Sequence, residues 1–196
     1  MQLERALEHL KKFTFAINPL SDEEWNDFAA IWSEGEAKRK TILTAKGETE
    51  KLLYFITEGV QRAFYLTDDD KEATLVFTYP FSFSGVADSF LTQTPSKYFF
   101  ETLTQSEFLK TTHTQVATLL DKYPNFERMI SKATAFALKV ALERQIELQT
   151  FSAEQKFTTL LNRSPQVLRL IAHKYLASYL GMDAATFSKL LSTVRV

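Results

Sequence analysis

The chain of 196 residues contains no cysteine. Disulfides, thiolate zinc sites and cysteine-ligated iron–sulfur clusters are excluded, and the composition fits a reducing, cytoplasmic compartment. The three histidines, His9, His113 and His173, fall in separate parts of the sequence, two of them in helical segments. The clustered His and carboxylate ligands of a cupin-type metal enzyme are therefore not assembled. No GxSxG, P-loop or other catalytic pattern occurs, and there are neither repeats nor low-complexity tracts. Long apolar runs are missing too: no window of eighteen residues is free of charge. The opening MQLERALEHLKKF alternates charged and apolar residues, which predicts neither a signal peptide nor a membrane span. A soluble protein is expected, with no enzymatic activity, metal or obligatory cofactor.

Charge is unevenly spread. Residues 151–196 hold six Lys/Arg against two Asp/Glu, whereas residues 1–150 hold seventeen against twenty-two. A basic tail on an acidic remainder is the electrostatic pattern of a nucleic-acid reader attached to another unit.

Residues 2–13 read as an amphipathic helix carrying Leu3, Leu7 and Leu10. A second helix starts at a capping box of Ser21 and Glu24, with Leu20 and Trp25 placed for a hydrophobic staple. Trp25, Phe28, Ala29 and Trp32 recur at helical spacing and are expected in the core. From Glu36 to Lys110 the pattern changes to strand-like runs at 51–57, 60–66, 73–79, 98–103 and 107–111, separated by turn residues such as Gly59 and Asp68–Asp70. Strands about ten residues apart with no helix between them predict an antiparallel sandwich or roll. Helix returns at 114–123. A segment without Gly or Pro follows, 125–151, in which Phe126, Met129, Ala133, Phe136 or Ala137, and Val140 repeat as a packing seam. Another helix, capped by Ser152 and Gln155, runs to about Asn162.

The stretch HKYLASYLGMDAATFSKLL, His173–Leu191, has the spacing of a helix-turn-helix. Ala177 lets a second helix cross closely, Gly181 supplies the left-handed turn, and Asp183 caps the second helix. Leu176, Leu180, Phe187 and Leu190 would fill the corner, leaving Thr186, Ser188 and Lys189 on or near a free face.

A helix pair, a β-roll, a long seamed helix and a helix-turn-helix, in that order, resemble the Crp/Fnr superfamily of bacterial transcription regulators over essentially the whole chain. The most specific pieces are YFITEG at 54–59 with Arg62, FSFSG at 81–85 followed by SFLTQTPS at 89–96, and YLASYLG at 175–181 with Ser188 and Lys189. They look most like the branch found in Bacteroidetes-type bacteria. The resemblance implies an α+β fold: an antiparallel double-stranded β-helix, the jelly-roll-like cyclic nucleotide-binding unit, at residues 1–124, a dimerisation helix at 125–151 and a DNA-binding unit at 152–196. It also implies double-stranded DNA, a second copy of the chain and RNA polymerase as partners, with a small-molecule effector in the roll.

Two departures from the family pattern modify these expectations. Its nucleotide cassette places a Glu after a Gly and an Arg about ten residues on. Here Gly85 is followed by Val86, and Ser96 falls at or next to the Arg position with Lys97 as the nearby cation, so ordinary cyclic AMP binding is expected to be lost. The effector-pocket candidates are Arg62, Phe83, Gly85, Val86, Ser89, Phe90, Ser96, Lys97 and Tyr98. Phe77, Tyr79, Phe81 and Phe100 add aromatic surroundings that either pack the roll or line a hydrophobic site. In the reading helix, Ala184 and Ala185 stand where relatives carry Arg and Glu, and Lys189 replaces a terminal Arg, which shifts discrimination toward A·T-containing sites and DNA shape. Phosphate anchors would be Lys174, Tyr179, Lys189, Thr193 and Arg195, and no terminal wing is expected. The competing readings are a ligand sensor or scaffold acting through a protein partner, and a cupin-like enzyme.

Overall fold

The computed structural model describes residues 3–194. Helices α1 (Leu3–Ile17) and α2 (Asp22–Ala30) precede strands β1 (Ser33–Ala37), β2 (Ile42–Thr44), β3 (Leu52–Glu58), β4 (Gln61–Leu66), β5 (Glu72–Thr78) and β6 (Ser82–Ser84). A short helix α3 (Ala87–Thr92) leads to β7 (Phe99–Thr102) and β8 (Ser106–Thr112). Helices α4 (His113–Lys122), α5 (Pro124–Thr150), α6 (Ala153–Arg163), α7 (Val167–Leu170), α8 (His173–Leu180) and α9 (Ala184–Thr193) complete the chain.

The strands form two four-stranded antiparallel sheets, ordered β1-β8-β3-β6 and β2-β7-β4-β5. Between them lies the apolar core of an antiparallel roll, built from Tyr54, Ile56, Ala63, Val86, Phe100 and Phe108. Strand alternation decides which side chains enter it: Tyr54 and Ile56 point inward, while Phe55 joins Leu109 in a separate cluster under α1, α2 and the start of α5. The five strands legible in the sequence sit within one residue of their expected limits. β1, β2, β6 and the small helices α3 and α7 were not expected. The sequence of β1, SEGEA, hides its role because its partner β8 supplies the apolar side chains, and Gly35 leaves room for Phe108, whose ring would lie 2.6 Å from a Cβ at that position.

Helix starts follow the capping chemistry. The Ser21/Glu24 and Ser152/Gln155 boxes are both closed, and a third, Thr112/Gln115, opens α4. Pro124 occupies the first turn of α5, where its missing N–H is no loss. α1 continues to Ile17, four residues past its expected end.

Three site expectations are corrected by the packing of α5. Phe126 and Met129 are each 2 % exposed, inside the cluster that α1 and α2 share with the roll, and Ala133 is half-buried, so these three do not present a seam to another molecule. One helical turn further on, the body falls away from the helix: Phe136 is 67 % exposed, and Ala137 and Val140 are exposed as well. Leu138, Leu142 and Ile146, on the helix face turned further from the body, are also open.

Candidate nucleic-acid interface and effector roll

α8 ends at Gly181, whose φ of 62° and ψ of 40° place it in the left-handed region, and its N–H returns to α8 carbonyls. Asp183 then caps α9, accepting from the Thr186 N–H at 2.8 Å, and this amide, with the Thr186 hydroxyl, holds its carboxyl below the usual range. Leu176, Ala177, Leu180 and Phe187 are buried in the corner between the two helices, with Leu190 packed against them. Phe187 also meets the rings of Phe157 and His173, each at 5.4 Å. Ala184, Ala185, Ser188 and Lys189 are exposed along one side of α9.

The remaining interface candidates divide. Lys174 is exposed on the first turn of α8, and Arg195 lies outside the described residues. Thr186 is half-buried and its hydroxyl donates to Asp183, while the hydroxyl of Thr193 donates to the Lys189 carbonyl, so both serve the helix itself. Tyr179 is the clear correction. It faces the roll, its ring 5.1 Å from Phe77 and 4.1 Å from the Arg144 guanidinium, and burial raises its phenol pKa.

The nine effector candidates are not gathered into one pocket. Val86 fills the roll interior, and Tyr98 packs beside it. Phe83 belongs to the outer cluster, edge-on to Phe13 at 5.2 Å, and Phe90 is buried against His113. Phe77 and Tyr79 also face outward, toward the C-terminal helices, and Phe81 is exposed. The Ser96 hydroxyl is taken by the backbone of Tyr98, and Lys97 points to solvent.

The polar centre of the cassette is instead a residue absent from the candidates, Glu50. It is 3 % exposed. Its carboxylate accepts from the Thr44 hydroxyl at 2.5 Å, the Leu52 N–H at 3.1 Å and the Val86 N–H at 3.4 Å. Its own N–H donates to Ser89, and its carbonyl accepts from Gln93. Burial raises the carboxyl pKa, against the pull of these donors. A cleft of about 450 Å³ at this mouth is lined by Leu43, Glu48, Glu50 and Tyr54 among others. An incoming phosphate would meet carboxylates where a cation is needed.

Arg62 departs furthest from expectation. It lies on the outer face of its sheet, 2 % exposed, between the rings of Phe64 (4.1 Å) and Tyr175 of α8 (3.9 Å). Its guanidinium holds Glu72 through two bonds of 2.6 and 2.7 Å, Glu101 at 2.6 Å and the Thr74 hydroxyl at 2.9 Å. Lys40 reaches Glu101 at 3.1 Å and donates to the Tyr175 hydroxyl at 2.5 Å. Next to this cluster the Ser178 hydroxyl accepts from the Thr74 N–H and donates to the Glu72 carbonyl, taking the place of a neighbouring strand on edge strand β5. On its far side, buried Glu147 of α5 binds Arg144 at 2.9 Å and also Arg163 of α6, while Arg144 donates to the Tyr179 carbonyl. One apolar cluster accordingly joins Val60, Phe77 and Leu103 of the roll to the residues of α6–α9. The signal for Arg62 was a lone charge in an apolar strand; its partners come from other strands and from α8.

Among the described residues, no group of three or more His, Asp or Glu is placed to hold a metal, and no helix is long and apolar enough to cross a membrane.

No family sequence model and no curated protein matches the chain. Solved structures do match. FixK2 of Bradyrhizobium japonicum aligns with a TM-score of 0.76 at 16 % identity over 83 % of each chain. The c-di-GMP-responsive global regulator CLP of Xanthomonas campestris gives 0.68 at 16 % identity, over 88 % of this chain and 90 % of that one. The catabolite activator protein of Thermus thermophilus gives 0.57 at 20 % identity, over 92 % and 85 %. At such identities the likeness is one of architecture: the chain shares the fold of these three proteins, an antiparallel β-roll with flanking helices and a long helix.

Proposed function

We propose that the chain is a DNA-binding transcription regulator of the Crp/Fnr type that works in the cytoplasm as a homodimer, and whose roll no longer takes cyclic AMP in the usual way. The observation that carries this reading is the state of α9. Phe187 and Leu190 anchor it, while Ala184, Ala185, Ser188 and Lys189 stay open on its other side. A short helix capped at its start and exposed along one face has the form that enters a major groove. Dimerisation is supported by Phe136, Val140, Leu138, Leu142 and Ile146, large apolar side chains that a lone protomer leaves 45–67 % exposed. Two copies of α9 related by a two-fold axis would meet half-sites about one helical turn, roughly 34 Å, apart. In this reading residues 1–124 form the effector-type unit, 125–151 the dimer helix and 152–196 the DNA unit, with RNA polymerase the downstream partner.

The reading is tested by fluorescence anisotropy of the full chain against a pool of short genomic duplexes between 50 and 200 mM salt. Affinity is expected to fall on the order of 10³-fold over that range if about six phosphates are neutralised, and Lys189→Ala is expected to weaken binding and flatten the salt slope by about one per protomer. Binding that ignores salt, or no binding, refutes the proposal.

A further inference from the structure

A second cavity lies outside the roll, where α3, α4 and the first turns of α5 close over Phe83. Its volume is about 120 Å³, and its walls include Ala87 and Phe90 of α3, Leu119 of α4, and Met129 and Ala133 of α5. Among the described residues Thr134 is the one polar member of the lining, and no titratable group contributes to it. Thr134 and Leu91, which is 39 % exposed, bring the cavity to the surface. Water gains nothing here: a buried water needs two to four polar partners, and a dry cavity of about 150 Å³ lined by Leu, Ile and Phe takes benzene or xenon instead.

We propose that this cavity is a binding site for a small, neutral, apolar molecule of about benzene's size. Volume and lining define the ligand class. A carboxylate or phosphate would find no cation and, apart from the Thr134 hydroxyl, no side-chain donor among the walls, and a longer ligand would have to pass out beside Leu91. The site deepens the regulator reading, because its walls belong both to the cassette helix α3 and to the part of α5 that ends one turn before Phe136. Occupancy thus has a direct path to the exposed stretch of α5. Binding itself does not depend on that reading.

The chain carries its own reporters. Met129 lines the cavity, whereas Met182 sits in the turn between α8 and α9. With [¹³C-methyl]methionine in the full chain, titration with benzene is expected to move the Met129 methyl resonance saturably and leave Met182 in place. Ala133→Leu, which fills the cavity, is expected to abolish the shift; if that variant fails to fold, Ala87→Val serves the same purpose. No saturable shift, equal shifts at Met129 and Met182, or a shift that survives a folded cavity-filling variant overturns the proposal. A shift seen only after Phe136→Glu makes the chain monomeric also overturns it, since a second copy would then be the occupant. None of these outcomes bears on salt-dependent DNA binding, so the two readings fail separately.

Discussion

Replacing Arg62 with Met keeps an unbranched apolar stem between Phe64 and Tyr175 but removes the cation that serves Glu72, Glu101 and Thr74. Breaking a buried pair by deleting one partner costs about 3–5 kcal/mol, because the other partner is left charged and dry. Two features set the value toward the lower end. Glu72 is 34 % exposed and can turn to water, and Glu101 keeps Lys40 at 3.1 Å. A loss of about 3 kcal/mol follows, equivalent to a fall in Tm of roughly 6–12 °C for a chain of this size. The loss should have a location as well as a size. Tyr175 and Ser178 dock α8 on the same strands, so the Thr74 amide, which donates to Ser178, is expected to lose hydrogen-exchange protection together with the α8 amides. Protection in β3 and β8 should be retained. Urea unfolding followed by Trp25 and Trp32 gives the magnitude, and exchange mass spectrometry gives the place. An Arg62→Met variant as stable as the parent, or one whose α8 exchanges no faster, would falsify the view that this cluster holds the C-terminal helices to the roll.

Acid should weaken the same contact. Arg62 holds the Glu72 carboxyl below its ordinary value, so ionised Glu72 stabilises the fold above its unfolded pKa, and that contribution is lost as pH falls through the folded pKa. Thermal melts between pH 7 and pH 3 should therefore show a shallower acid decline for Glu72→Gln than for the parent. Phe136→Glu places a charge on a residue already 67 % exposed, so light scattering should report a monomer while the protomer's own unfolding free energy changes by no more than about 0.5 kcal/mol; an unchanged dimer assigns the interface elsewhere. Cyclic AMP at about 1 mM should leave the Tm unmoved, since the cassette offers Glu50 rather than a guanidinium, and a rise of several degrees would count against that assignment.

Local chemistry was legible in the sequence. The capping boxes at Ser21 and Ser152, the Gly181 turn and the Asp183 cap depend on residues three or four apart, and each forms as its spacing predicts. The seam of α5 was half legible. Its period is real, but periodicity does not say where the body of the protein ends, and the boundary falls between Ala133 and Phe136. Arg62 and Glu50 show what a linear reading misses. Glu101 stands directly opposite Arg62 only because β4 pairs with β7, and Glu72 reaches it across a hairpin whose register shifts between Ala63 and Phe64. Glu50 reads as one more charge in a polar loop until Thr44 and Val86 close around it.

The central claim is that two copies of α9 are offered to one duplex. Hydroxyl-radical footprinting on a fragment selected from genomic DNA by the full chain tests it most directly. Two protected patches about 10 base pairs apart, centre to centre, on one face of the helix are predicted, both moved to higher protein concentration in Lys189→Ala. A single patch, or protection by Lys189→Ala at the same protein concentration as the parent, contradicts it.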